Sequence, residues 1–277
     1  MPVTAVPPSW AAYSGAFEGL DLPPDFFPRV ESYLSALSTL NQSLNLISFS
    51  TEDELRGHAA DALQALRFIF PREGKQCKDF PSPLGRPVAG LPAPGAAEPL
   101  MRGQGEGLEP LSLIDVGTGG GFPGVPLAIA RPAWTVTLLD SLRKKQTAVA
   151  SLLEAAQIKN GRAIWGRAED LARQAEHREA YDGALCRAVG RLTTVLELTL
   201  PFVKVGGAAV LHRGSDGRVE LAEAGRALKD LGGRPGPIYS YRLPGLEKER
   251  LILCVEKTHQ TSIGFPRRAG IPAKKPL

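Results

Sequence analysis

The sequence predicts an α/β fold, a doubly wound and mostly parallel sheet with an antiparallel hairpin at one edge and a helical cap ahead of it. Three observations carry this. An apolar run of Leu111, Leu113, Ile114 and Val116 breaks into Gly117, Gly119, Gly120 and Gly121, and the apolar helical segment of Val125, Leu127, Ile129 and Ala130 follows. Further short apolar runs then alternate with helix-period segments, the pattern of strands joined by crossover helices. The final two runs flank Pro244-Gly245, a turn signal that fits a hairpin.

Residues 1–24 read as irregular. A helix begins near Asp25, where Phe27, Val30, Leu34, Leu37 and Leu44 recur at three- and four-residue intervals, and Pro28 falls in the first turn where its missing donor is harmless. Asn45-Leu46-Ile47-Ser48 breaks the period. Leu55, Ala59, Leu63, Leu66 and Phe70 trace a second helix with His58 and Asp61 on one face, spaced to bond each other as a structural pair. Residues 25–70 therefore form the cap. Residues 71–110 hold eight prolines and seven glycines in forty positions, above the roughly 25–30% that marks low-complexity composition, and read as a flexible insertion.

The core spans 111–257 and opens on Asp115-x-Gly117-x-Gly119-x-Gly121. A dinucleotide fingerprint wants a glycine at the sixth position from Gly117, and Phe122 stands there, which argues against a pyrophosphate. An acid ahead of a glycine turn lets backbone approach a ligand without phosphates, and S-adenosylmethionine suits such a loop; an ordinary tight turn is the alternative. Thr135 to Leu139 form a second strand ending on Asp140, 23 positions after Gly117, where a carboxylate can take both hydroxyls of a ribose and also cap the next helix.

Arg143-Lys144-Lys145 opens a helix, and cations there oppose its dipole unless an anion is near, so they face RNA phosphates or make a solvated basic patch. Ala163-Ile164-Trp165 is the third strand. Gly166 to Asp170 make the turn where the adenine of a bound adenosine would lie, with Glu169 placed to read its edge or to favour a helix start. Tyr181 to Cys186 form the fourth strand, with Cys186 read as core and Arg187 at the carboxyl end, where burial demands an anionic partner. Leu192 to Leu200 form a helix, Ala208 to Leu211 a strand, and Arg218 to Leu231 one helix stopped by Gly232-Gly233. Ile238 to Arg242 and Leu251 to Val255 are the hairpin strands.

Composition bounds the function. The 277 residues are 43% hydrophobic, enough for one full core, with no run of eighteen apolar residues and no basic residue before Arg29. Neither a membrane span nor secretion is expected. Cys77, Cys186 and Cys254 are an odd number without metal spacing, and no two histidines pair at ligand spacing, so reduced thiols in a cytoplasm and no metal are expected. The net charge of +4 is concentrated in the last 21 residues, which hold Lys257, Arg267, Arg268, Lys274 and Lys275 without an acid. Residues 258–277 read as a basic, extended arm for the phosphates of a polyanion, or as a solubilising end.

Taken together, Asp115 to Gly124, Leu139-Asp140-Ser141-x-x-Lys144-Lys145, Arg167-Ala168-Glu169, Cys186-Arg187-Ala188 and Phe265-Pro266-Arg267-Arg268-x-Gly270-x-Pro272 resemble the RsmG (GidB) family. Asn45-Leu46 and His58-x-x-Asp61 belong to the same resemblance, which spans residues 25–70 and 111–277. It implies a Rossmann-like class I S-adenosylmethionine-dependent methyltransferase fold and methyl transfer to N7 of a guanosine in bacterial 16S ribosomal RNA. Cofactor contact from Gly117, Phe122, Asp140, Ala168, Glu169 and Arg187 is implied as well. Lys144, Lys145, Arg267 and Arg268 are the expected RNA contacts, the partner being 16S rRNA or a small-subunit precursor, the chain a monomer without a membrane partner. Ala62 departs from the family's usual serine, and the insertion is longer than usual. No catalytic side chain is expected, since guanine N7 is already unprotonated. A small-molecule methyltransferase and a non-catalytic ribosome-assembly factor are the rival readings.

Overall fold

The computed structural model describes residues 4–69, 110–187, 190–245 and 248–277. The Pro/Gly-rich stretch therefore lies, but for Pro110, outside the described residues. The segment expected to be irregular is helical in part: a 3-10 turn over Pro8–Tyr13 runs into α1, Ser14–Phe17. Trp10, Tyr13 and Phe17 are buried there, and Trp10 meets Phe27 at 5.6 Å, so aromatic burial orders a stretch that has no apolar period.

Helix α2, Phe26–Leu44, buries Phe26, Phe27, Val30, Tyr33, Leu34 and Leu37, each such side chain stabilising by about 1.5–3 kcal/mol relative to exposure. It ends at Asn45 in the left-handed region. The Asn41 side chain ties down the exit, accepting from the amides of Leu46 and Ile47 at 2.6 and 2.9 Å. Helix α3, Glu52–Leu63, starts on a Thr51 cap that accepts from the Glu54 amide, with three acids in its first turn favouring the dipole. The second cap helix does not run on as its period suggested. It breaks at Gln64-Ala65 before α4, Leu66–Ile69, and the Gln64 amide side chain takes the carbonyls of Ala16 and Ala60 instead.

The core alternates β1, Ser112–Val116; α5, Gly124–Ala130; β2, Thr135–Asp140; α6, Arg143–Ala155; β3, Gly161–Trp165; α7, Ala168–Leu171; and β4, Tyr181–Arg187. Then follow α8, Leu192–Thr199; β5, Val203–Gly214; α9, Gly217–Glu223; α10, Gly225–Leu231; β6, Gly233–Tyr241; β7, Arg250–Lys257; and α11, Ile271–Lys274. The stretch expected as one helix over 218–231 is two, parted at Ala224, which is buried.

All seven strands form one sheet in the order β3-β2-β1-β4-β5-β7-β6, parallel from β3 to β5, with β7 antiparallel to both its neighbours. This is the doubly wound sheet with an antiparallel edge that the sequence predicts. Cap helices pack with α5 and α6 in one cluster, and α8, α9 and α10 form another. The chain winds outward from β1 to β3 and then returns to lay β4 on the other side of β1, which opens a crevice above the carboxyl ends of the strands.

Candidate functional site

A cleft of about 550 Å³ lies at that crevice. Val116, Gly117, Leu139, Asp140, Gly166 and Glu169 are among its lining residues, contributed by the ends of the first three strands and the turns after them. Its size falls within the range of small-molecule sites.

The glycine loop is shaped from inside. Asp115, fully buried, accepts from the Thr118 hydroxyl at 2.7 Å and from the Gly124 amide at 2.9 Å, drawing the loop back onto the start of α5. Burial pushes the Asp115 carboxyl up to about 6, with the Thr118 and Gly124 hydrogen bonds and Arg187 opposing and Asp140 adding to the rise. Gly121, at φ +107°, has no room for a side chain: a Cβ would fall 2.7 Å from Val125 and 2.9 Å from the Tyr33 hydroxyl. That hydroxyl donates to the Gly120 carbonyl at 2.8 Å, so the cap holds the loop from its far side.

The loop's amides decide which ligand fits. Gly117 and Thr118 donate to Leu139, Gly119 to Asp140, Gly121 and Phe122 to Thr118, and Gly124 to Asp115. A phosphate cradle needs such amides pointing at the ligand. These are spent within the protein, which suits an adenosine without phosphates, as in S-adenosylmethionine. Asp140, at the end of β2, accepts from the amides of Gly119 at 3.1 Å and Leu142 at 2.8 Å and lines the cleft, so its carboxylate is fixed in the cleft wall. It does not cap α6 as foreseen, because that helix starts after Leu142 with no side-chain cap, and the carboxylate holds the turn ahead of it instead.

Of the six expected cofactor residues, Gly117, Asp140, Ala168 and Glu169 line the cleft together. Phe122 and Arg187 are placed behind the loop. The Arg187 guanidinium stands 4.9 Å from the centre of the Phe122 ring and donates to Asp61 at 3.0 Å, while His58 and Tyr33 pack on the same ring. The anion that Arg187 demanded is thus Asp61. His58 and Asp61 do not bond each other but share Arg187, which reaches His58 Nδ1 at 3.4 Å. Burial, with Arg187 alongside, pushes the His58 pKa below its ordinary value. Cys186 is buried and its thiol is pushed far up by that burial, as a core residue requires.

Among the expected RNA contacts, Lys144 and Arg268 are exposed and Lys145 lines the cleft. Arg267 differs. Its guanidinium and its amide are both taken by Glu197, whose side chain is wholly buried, with contacts of 2.6 to 3.1 Å, so this arginine is a structural ion pair and not a free cation. The arm, too, is not extended: residues 261–276 fold back on the core, Thr261 and Pro272 are buried and α11 forms a short turn. Gly270, Ala273 and Pro276 line the cleft, as do Arg191 and Thr194. Gly270 stood in the terminal motif without a role of its own, and the other four carried no local signal in the sequence that tied them to the cleft. Among the described residues no group of three or more His, Cys, Asp or Glu is placed to hold a metal, and no helix is long and apolar enough to cross a membrane.

The family model described as GidB, rRNA small subunit methyltransferase G, matches residues 104–241. The ribosomal RNA small subunit methyltransferase G of Moorella thermoacetica is 33% identical over 260 residues, 94% of this chain and 93% of that protein. Its namesake from Gloeobacter violaceus is 48% identical over 166 residues, 60% of this chain and 66% of that one. A SAM dependent methyltransferase from Aquifex aeolicus overlays with a TM-score of 0.41 at 16% identity, covering 54% of this chain and 84% of that one. With the family model over the core and the similarity to the Moorella protein over nearly the whole chain, the chain belongs to the GidB family of rRNA small subunit methyltransferases.

Proposed function

We propose that this protein transfers the methyl group of S-adenosylmethionine to N7 of a guanosine in 16S ribosomal RNA. Membership of the GidB family supports the reaction class, and the observation that carries the reading is the phosphate-averse cleft closed by Asp140. When bound, the cofactor supplies an electrophilic methyl on a sulfonium: the new N–C bond forms as the S–C bond breaks, and no proton has to be removed. The protein's task is placement and exclusion of water. Asp140 holds the ribose, Gly117 and the Ala168-Glu169 turn flank the adenosine, and Phe122 and Arg187 fix the loop against the cap. Lys144 and Arg268, exposed, and the half-buried Lys145 in the cleft wall offer cations for RNA phosphates.

The RNA itself is best sought in the small subunit or its precursor. The test is methylation, with labelled cofactor, of 16S RNA and of small subunits from a strain lacking this gene, followed by mapping of the product. Label at one guanosine N7 is the expected result. Label on a small molecule alone, or on an exocyclic nitrogen, would overturn the reading.

A further inference from the structure

We propose that the C-terminal segment 270–276 is a wall of the cofactor site, and that Glu169 acts as its positioning residue and not as a reader of adenine. The inference rests on the S-adenosylmethionine reading of the cleft and reassigns both the tail and Glu169 within it.

Three observations converge. Glu169 is buried, and its Oε1 accepts from the Gly270 amide at 2.8 Å across 101 residues of chain. Gly270, Ala273 and Pro276 line the same cleft as Asp140 and Ala168. On both sides of Gly270 the segment is moored by side chains of the core. Arg178 donates to the carbonyls of Thr261 and Phe265 at 2.8 and 2.9 Å, Arg173 to that of Pro266, the Thr194 hydroxyl to that of Pro272 at 2.9 Å, and Glu197 holds Arg267.

A solubilising end or a free polyanion-binding arm would not engage buried acids from α7 and α8. Moorings of this kind, each a charged or hydroxyl group spent on backbone of the last seventeen residues, fix a strand of chain in one place. What that place does is wall the cleft beside the turn after β3. Ala273 is exposed yet lines the cleft, so its surface is presented to whatever the cleft holds. Small residues at 270 and 273 leave room for the ligand, which a larger side chain would take.

The test is cofactor affinity by calorimetry, without RNA, on three variants of the full chain, on a chain ending at Ala269 and on that shortened chain with Glu169→Ala. Ala273→Leu, which touches no mooring, and the shortened chain should each bind S-adenosylmethionine about tenfold more weakly, the loss of roughly one contact's worth of binding energy. Glu169→Ala should fall likewise. Glu169→Gln, whose carbonyl still accepts from Gly270, should recover most of the affinity. In the shortened chain Glu169→Ala should add nothing further, because the residue acts through the tail. Melting of the cofactor-free variants separates loss of fold from loss of site.

Unchanged affinity in Ala273→Leu and in the shortened chain, both folded, would overturn the wall. Additive losses in the combined variant would overturn the positioning role and return Glu169 to direct contact. Failure of the full chain to bind S-adenosylmethionine would instead sink the cofactor reading itself.

Discussion

Arg187 Nη1 lies 3.0 Å from Asp61 Oδ2, joining the end of β4 to cap helix α3 across 126 residues of chain. Asp61 is 3% exposed, and its other oxygen accepts from the Tyr241 hydroxyl at 2.6 Å. Burial works against its ionisation but is outweighed by the cations and donors around it, so its pKa is lowered. Removing a buried partner leaves an uncompensated charge. Asp61→Ala should therefore cost about 3–5 kcal/mol of stability, and Asp61→Asn less, since it still accepts from Tyr241. Urea unfolding measures both, and an unmoved midpoint in the alanine variant would contradict the coupling.

Asp140 carries the cofactor prediction. Asp140→Ala removes the proposed ribose partner and also frees the amides of Gly119 and Leu142. S-adenosylmethionine binding should weaken by roughly 100-fold, as loss of one or two charge-assisted hydrogen bonds requires. Asp140→Asn, which keeps one acceptor, should lie between. Calorimetry returning the wild-type affinity for the alanine variant would remove this residue from the site.

How much of this was legible in the sequence follows from how local each signal is. Strand ends, the glycine loop and Asp140 are set by residues within a few positions of one another, and the spacing from Gly117 to Phe122 correctly spoke against a pyrophosphate. Partners far apart in sequence were not legible: Arg187 announced a need for an anion but not that Asp61 meets it, and Glu169 gave no sign of Gly270. Arg267 misled for the same reason. A basic tail looks free until the buried acid that claims one of its arginines, Glu197, is known. The N-terminal turns escaped because Trp10 and Phe17 pack on Phe27 of α2 and Tyr13 on α3, tertiary contacts without a helical period of their own.

Arg267 and Arg268, adjacent in sequence, should therefore separate cleanly. Arg267→Ala strands the buried Glu197 carboxylate and should lower stability by about 3–5 kcal/mol. Arg268→Ala, on an exposed side chain, should leave stability within about 0.5 kcal/mol and weaken RNA binding with a shallower salt dependence. Thermal melts alongside RNA titrations at several salt concentrations decide it. Equal melting temperatures for the two variants would refute the assignment of Arg267 to structure.

Trp165 offers an optical handle on the proposed RNA face. It is 54% exposed, while Trp10 and Trp134 are buried, and these are the chain's three tryptophans. Arg143 stands 5.4 Å from its ring centre, next to Lys144. An exposed indole among cations is a surface on which an unpaired base can stack, worth about 1–3 kcal/mol per base. RNA should quench the intrinsic fluorescence, Trp165→Phe should abolish the quenching, and Trp165→Ala should weaken RNA binding without changing cofactor affinity. Quenching that survives in Trp165→Phe would place the RNA elsewhere.

Asp115 makes stability depend on pH. Burial raises its carboxyl from 3.8 to about 6 in the folded chain, so between those values the native state holds a proton that the unfolded state has released. Stability from this group is therefore present in full below pH 4 and lost as pH rises through 6, the reverse of a salt-bridged carboxylate. The shift corresponds to about 3 kcal/mol. Asp115→Asn keeps an acceptor for the Thr118 hydroxyl or the Gly124 amide and carries no titrating group. The wild type's stability minus that of the asparagine variant should fall by about that amount from pH 4 to pH 7 and then level off. Urea unfolding across this range gives the difference directly, and a flat or rising curve would mean that the loop's acid is ionised throughout.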